Sequence, residues 1–154
     1  MLFGAALALA QTQPQKTAAA GDYSGMYSFL QEGEFVQISV DEGKRVTGFI
    51  SRYSDTNHAS FTDYFFDKAD LHDGDLRFST RKVQGTWFDF QGAISRGPGK
   101  SRDAEAYYLI KGTLTQHATD ARQAVTASKS EVVLRSFPQE IEDESEDKAP
   151  GTRR

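Results

Sequence analysis

The sequence predicts an all-β protein, an antiparallel up-and-down barrel of about eight strands, and three observations carry that prediction. From Tyr23 onward, short runs of alternating apolar and polar residues are separated by turn residues at close intervals, the spacing of a sandwich or barrel. The composition is 12% aromatic with 13 glycines, 4 prolines and no cysteine, which suits many strands and turns better than a helical bundle. Three glycines, Gly48, Gly92 and Gly112, each fall on the apolar side of a strand pattern. Glycine inside a strand marks sharp coiling or close backbone approach, so three of them favour a closed, curved barrel over a flat sandwich. A barrel of about eight strands has an interior that side chains fill or that holds one small ligand.

The barrel domain is expected over residues 23–138. Before it, Leu2 to Ala10 is a short apolar run ending in Ala8-Leu9-Ala10, the h-region and cleavage site of a secretory signal peptide, although no Lys or Arg precedes it. The run is shorter than the roughly 20 residues that span a bilayer. It predicts a secreted or periplasmic protein with no membrane span in the mature form, whose residues 11–22 are a flexible linker. An outer-membrane barrel is disfavoured, because the apolar faces are short and no aromatic girdles are evident.

In chain order, Val36, Ile38 and Val40 alternate with Phe35, Gln37 and Ser39. Asp41-Glu42-Gly43-Lys44 turns the chain, and Val46, Gly48 and Ile50 answer on the next strand. Ser51 to Asp63 reads as a polar loop. Tyr64 to Ala69 and Leu76 to Thr80 pair around His72-Asp73-Gly74-Asp75, where Asp-Gly is a strong hairpin sequence. Arg81 to Gly85 turns into the stretch Gly85 to Ile94, which holds the single tryptophan and alternates Phe88, Phe90 and Ile94 with Trp87, Asp89 and Gln91. The loop Arg96 to Arg102 leads to a strand from Tyr107 to Thr115, with Tyr108, Ile110, Gly112 and Leu114 on one face. Residues 116–130 are polar, either a short helix or a loop, and Val132 to Phe137 makes a final strand that Pro138 stops. Residues 139–154 carry six acids and three bases, so most of the net charge of -4 lies in a tail expected to be disordered.

Gly25-Met26-Tyr27, Gly33 to Val40, and Gly43 followed by Val46-Thr47-Gly48 resemble the first hairpin of the avidin family and, more loosely, the lipocalin-like (calycin-type) barrels. The resemblance covers roughly 25 residues well, then follows only in order through Gly85-x-Trp87, Gly92 and the Tyr107 to Leu114 strand. It implies a calycin-like architecture. Avidin-like proteins hydrogen-bond the ureido oxygen of biotin with an Asn, a Ser and a Tyr, and the aligned positions here are Phe29, Glu34 and Ile50. None supplies the same hydrogen bond, so the resemblance supports the architecture and argues against biotin.

The remaining chemistry is sparse. Gly97-Pro98-Gly99-Lys100-Ser101 resembles the end of a P-loop but lacks its first glycine, since Ile94 stands there, and is followed by a loop and strand rather than a helix. Arg96, Lys100 and Arg102 read as solvated charges. His58, His72 and His117 show no ligand spacing, and Asp55, Asn57 and Asp63 lack the glycine and terminal Glu of a calcium loop. No metal site or cofactor is expected. An acidic chain with pI near 5.4 does not suit a nucleic-acid partner. Gly-x-Ser-x-Gly is absent, which weighs against a hydrolase.

Two registers are open for the Gly85 to Ile94 strand. With the mixed face inward, Trp87, Asp89 and Gln91 join Phe49, Tyr53, Tyr107 and Lys111 as a ligand-binding cavity lining. With the apolar face inward, Phe88, Phe90, Ile94, Tyr108, Ile110 and Leu114 form core, a choice that burial favours because a one-residue slip exposes the whole set. The expected function is non-enzymatic binding of a small molecule, a glycan or a protein. The alternatives are a structural protein that self-associates as a homo-oligomer and, third, a small hydrolase.

Overall fold

A computed structural model describes residues 19–140. After a 3-10 turn at Ala20–Tyr23 come eight strands: β1 (Gly25–Ser28), β2 (Phe35–Val40), β3 (Val46–Tyr53), β4 (Phe61–His72), β5 (Asp75–Thr80), β6 (Thr86–Arg96), β7 (Tyr108–Thr119) and β8 (Val125–Arg135). They form one sheet in chain order, every neighbour antiparallel, curled into an up-and-down half-barrel. This is the all-β architecture the sequence predicts, and it is compatible with a calycin-like barrel.

Turn chemistry sets the hairpins. Asp73 and Gly74 both have positive φ, at 49° and 84°, so the two central residues of the β4–β5 hairpin twist with the strands they join. In the β2–β3 turn it is Lys44, at φ 62°, that takes the left-handed conformation. The Asp41 carboxylate accepts the Arg45 backbone N–H at 2.8 Å and its Nε at 3.1 Å, and these bonds hold the carboxyl below its ordinary range.

The strand glycines create the curvature. Gly92 and Gly112 are direct partners in the β6–β7 register, and the Phe90 ring lies across both. A methyl group at Gly92 would sit 2.6 Å from the tip of that ring and one at Gly112 2.8 Å from it, so neither position has room for a side chain. Phe90 continues a stack through Phe78 to Phe66, with centroids 5.2 and 4.2 Å apart. Around it pack Leu76, Phe88, Ile94, Tyr108, Ile110, Leu114, Val132 and Leu134, all buried. The apolar register of β6 is therefore the inward one, and the barrel interior is filled with aromatic and aliphatic side chains.

Two features depart from a uniformly closed barrel. β4 pairs with β3 up to Phe65 and with β5 from Phe66, and the change falls at an irregularity between Phe66 and Lys68 that turns a corner in the sheet. The sheet ends meet only at one end, where Tyr27 bridges Ser136 and the Phe137 N–H donates to Met26 O at 2.9 Å. Above that seam the four-residue β1 has no length left to follow the eleven-residue β8. Tyr27, buried at the seam, donates its hydroxyl to Tyr23 O at 2.8 Å, and burial, with Tyr108 beside it, pushes its pKa well above the ordinary tyrosine value.

Residues 116–130 are neither helix nor loop. They complete β7 to Thr119, turn at 120–124 and open β8 at Val125. β4 likewise begins at Phe61, inside the stretch expected to be a loop. The expected linker is ordered at its end, where Asp22 pairs with Arg102 at 2.6 Å. Gln139 is tied back to the barrel, its N–H donating to Arg102 O and its Nε2 to Ser24 O. The signal peptide expected at 1–10, the rest of the expected linker and the expected tail from 141 lie outside the described residues. No helix among the described residues is long and apolar enough to cross a membrane.

Candidate functional site

The side chains with chemistry to offer lie mostly on the outer face of the sheet. Alternation puts Trp87, Asp89 and Gln91 there because Phe88 and Phe90 must face in. The seven residues expected to line an interior cavity thus line none. Phe49 and Tyr53 lie on the outside of β3, Trp87, Asp89 and Gln91 on the outside of β6, Lys111 exposed on β7, and Tyr107 just ahead of β7 under the Arg96 guanidinium, 3.4 Å from its ring centroid.

The register organises the outside of β4 to β8 into rows. One runs Lys68, Ser79, Asp89, Thr115, Lys129, and the next runs Asp70, Arg77, Gln91, Thr113, Glu131. All of them but Glu131 line a groove of about 540 Å³ across five strands, whose lining Phe78 and Phe90 complete. Beside the first row, Trp87 and His117 face each other on β6 and β7 and stack nearly parallel, 4.8 Å between centroids, with Lys82 Nζ 4.3 Å from the indole centroid. His117 Nε2 bonds Asp89 Oδ2 at 2.7 Å, and Ser79 Oγ donates to Asp89 Oδ1 at 2.5 Å. The carboxylate is the middle member, holding the imidazole and the hydroxyl on its two oxygens. In a Ser-His-Asp relay the imidazole would stand between them.

A second outer region covers β2 to β4. Phe35, Phe49 and Phe65 contact one another in series at 5.8 and 5.2 Å, and Tyr53 packs on Phe61 at 4.5 Å and stacks on His58 at 4.1 Å. Phe61 is 50% exposed and Phe65 51% exposed, so the face is apolar and open to solvent.

Among the described residues the buried polar side chains are Glu34, Ser51, Thr80 and Ser136, and the charged one lies at the barrel end near the β3–β4 loop. Glu34, 1% exposed, accepts from Arg52 Nε, the Tyr53 N–H and the Gln31 N–H at 3.2 to 3.3 Å. Arg52 also donates to Gln116 Oε1 at 3.2 Å and lies over the rings of Phe29 and Phe88. Phe29, Glu34 and Ile50, the positions aligned with the biotin contacts of avidin-like proteins, are all buried, and Glu34 and Arg52 border a recess of about 360 Å³ that Tyr53 and His58 also line. Arg52 carried no sequence pattern that singles it out; its inward phase with Ile50 on β3 was the available clue.

The histidines are dispersed. His58 is on the aromatic face, His72 at the β4–β5 turn and His117 beside Trp87, and the described residues contain no His, Cys, Asp and Glu cluster suited to a metal ion. Arg96 and Arg102 are not free charges. Arg96 packs on Tyr107 and donates to Gly99 O at 3.0 Å, and Arg102 holds Asp22. No protein-family model matches the sequence, and no curated protein matches it.

Proposed function

We propose that this chain is an exported, non-enzymatic binding protein and that its ligand is an oligosaccharide held in the outer groove of β4 to β8. The observation that carries the reading is the pair of polar rows flanked by the Trp87–His117 stack. Sugar hydroxyls both donate and accept, and the rows offer donors in Lys68, Arg77 and Lys129, acceptors in Asp70 and Asp89, and both in Gln91, Thr113 and Thr115. The hydrogen bond from His117 and the one from Ser79 orient Asp89, which favours recognition over turnover.

Trp87, the single tryptophan, stands beside this groove against His117, so its fluorescence is the optical probe nearest to it. Titration with a panel of oligosaccharides is expected to find one that shifts the emission, and Gln91→Ala should weaken it about tenfold, the loss of one or two hydrogen bonds. A panel that leaves both the emission and the β5–β7 amide resonances unmoved would overturn the reading. Release of reducing ends during the titration would move it to the hydrolase.

A protein partner is the second reading, favoured by the half-exposed Phe61 and Phe65. An unpaired aromatic face of this kind fits protein association better than sugar binding, because phenylalanine offers no hydrogen bonds.

A further inference from the structure

β7 covers one edge of β8 along its whole length, from Leu109↔Arg135 to Thr119↔Val125. The other edge is nearly bare. Ser136 N–H donates to Tyr108 O on the β7 side, whereas Arg135 N–H turns the other way to Ser28 Oγ and Phe137 N–H to Met26 O. By the alternation of an antiparallel ladder, Val133, Glu131, Lys129 and Ala127 also direct their N–H and C=O groups away from β7. No strand among the described residues lies beside them. Residues 125–131 are exposed throughout, and they contain neither proline nor bulge. Such an edge is a template for another strand.

We infer that the strand it accepts is β8 of a second copy of this chain, antiparallel about a two-fold axis through Ser130. The charge pattern selects that partner and that register. With Ser130 on the axis, Lys129 of each copy faces Glu131 of the other, and exposed Val133 faces Ala127. Moving the axis to residue 129 opposes two lysines, and moving it to residue 131 opposes two glutamates. A half-step places outer residues against inner ones and breaks the hydrogen-bond phase. The Thr113 hydroxyl donates to Glu131 Oε1 at 2.6 Å, which holds that carboxylate on the outer face where Lys129 of the second copy arrives. Val133, 47% exposed on a strand whose neighbours Val132 and Leu134 are buried, is covered in the dimer. The row ending at Lys129 then runs on into the row that begins at Glu131 of the other copy, so the outer grooves become continuous. The inference stands on the edge geometry and does not depend on the ligand.

Sedimentation equilibrium on the chain tests it. The wild type is expected to dimerise, Lys129→Glu or Glu131→Lys alone to weaken the dimer about tenfold or more, and the double exchange K129E/E131K to restore it. Ala127→Pro removes an outward N–H that has no partner in the monomer, and it should abolish the dimer while leaving the circular dichroism unchanged. A wild type that stays monomeric at hundreds of micromolar would overturn the inference. So would a dimer indifferent to Ala127→Pro, or one broken by Phe65→Ser but not by Lys129→Glu, which would assign association to the aromatic face.

Discussion

On β6, Phe88 and Trp87 are adjacent in the chain and belong to different environments. Phe88 is fully buried against Phe29 and Tyr64 at 6.0 and 5.0 Å in edge-to-face contact, while Trp87 lies outside against His117 and Lys82. The same alternation runs through β5 and β7. One face carries the energy of the fold and the other carries polar groups arranged in rows, so changes to one need not disturb the other. The exception is the barrel end, where the inner face itself holds a charge pair.

The largest expected effect is on the inner face. Phe88→Ala removes a ring from a filled interior and should cost about 4 kcal/mol in denaturant unfolding, with the groove lost only through unfolding. A cost below about 1 kcal/mol would mean that the interior collapses around the gap and that the two faces are less distinct than they look.

Glu34→Gln tests the exception. It leaves the part-buried Arg52 charge with weaker acceptors and should cost about 2 kcal/mol; an unchanged midpoint would show that Arg52 finds water at the barrel end instead.

The seam gives an alkaline limit. Because burial raises the folded pKa of Tyr27, the stabilisation is complete below the ordinary tyrosine value of about 10 and is lost as pH rises above it, by about 1.4 kcal/mol per pH unit until the folded pKa is reached. Tyr27→Phe should flatten that slope, which stability measurements across the alkaline range would reveal.

The outer face should respond least. Trp87→Ala is expected to cost about 1 kcal/mol, the size of a cross-strand aromatic pair, and to remove the affinity for the groove ligand. A cost of about 3 kcal/mol or more would make Trp87 part of the core and erase the separation of faces.

Much of this was legible beforehand wherever a strand has one wet face and one dry one. The alternation of Val36, Ile38 and Val40, or of Phe88 and Phe90, is the direct trace of burial, and the Asp-Gly turn fixes the hairpin between β4 and β5. Gly92 and Gly112 announced the curvature, and the structure shows the cause in the Phe90 ring that crosses both. The tip of the β7–β8 hairpin was illegible for the opposite reason. From Val125 to Glu131 both faces of β8 meet water, so no residue there is selected to be apolar and no period of two appears. The start of β4 was hidden by Phe61 and Phe65, outward aromatics that obscure the alternation of Thr62, Tyr64 and Phe66 inside.

The candidate site divides in the same way. Trp87, Asp89 and Gln91 do share one face of β6, but the outer one, while Lys111 lies farther along β7 opposite Ala93, and Phe49 and Tyr53 belong to a separate aromatic face. Which residues share a strand face was written in the chain, because side-chain direction has a period of two. Which strands lie side by side, and therefore that Asp89 meets His117 and Glu34 meets Arg52, was decided only when the sheet curled. Those partners are 28 and 18 residues apart, and no local pattern encodes a distance that only the register between strands creates.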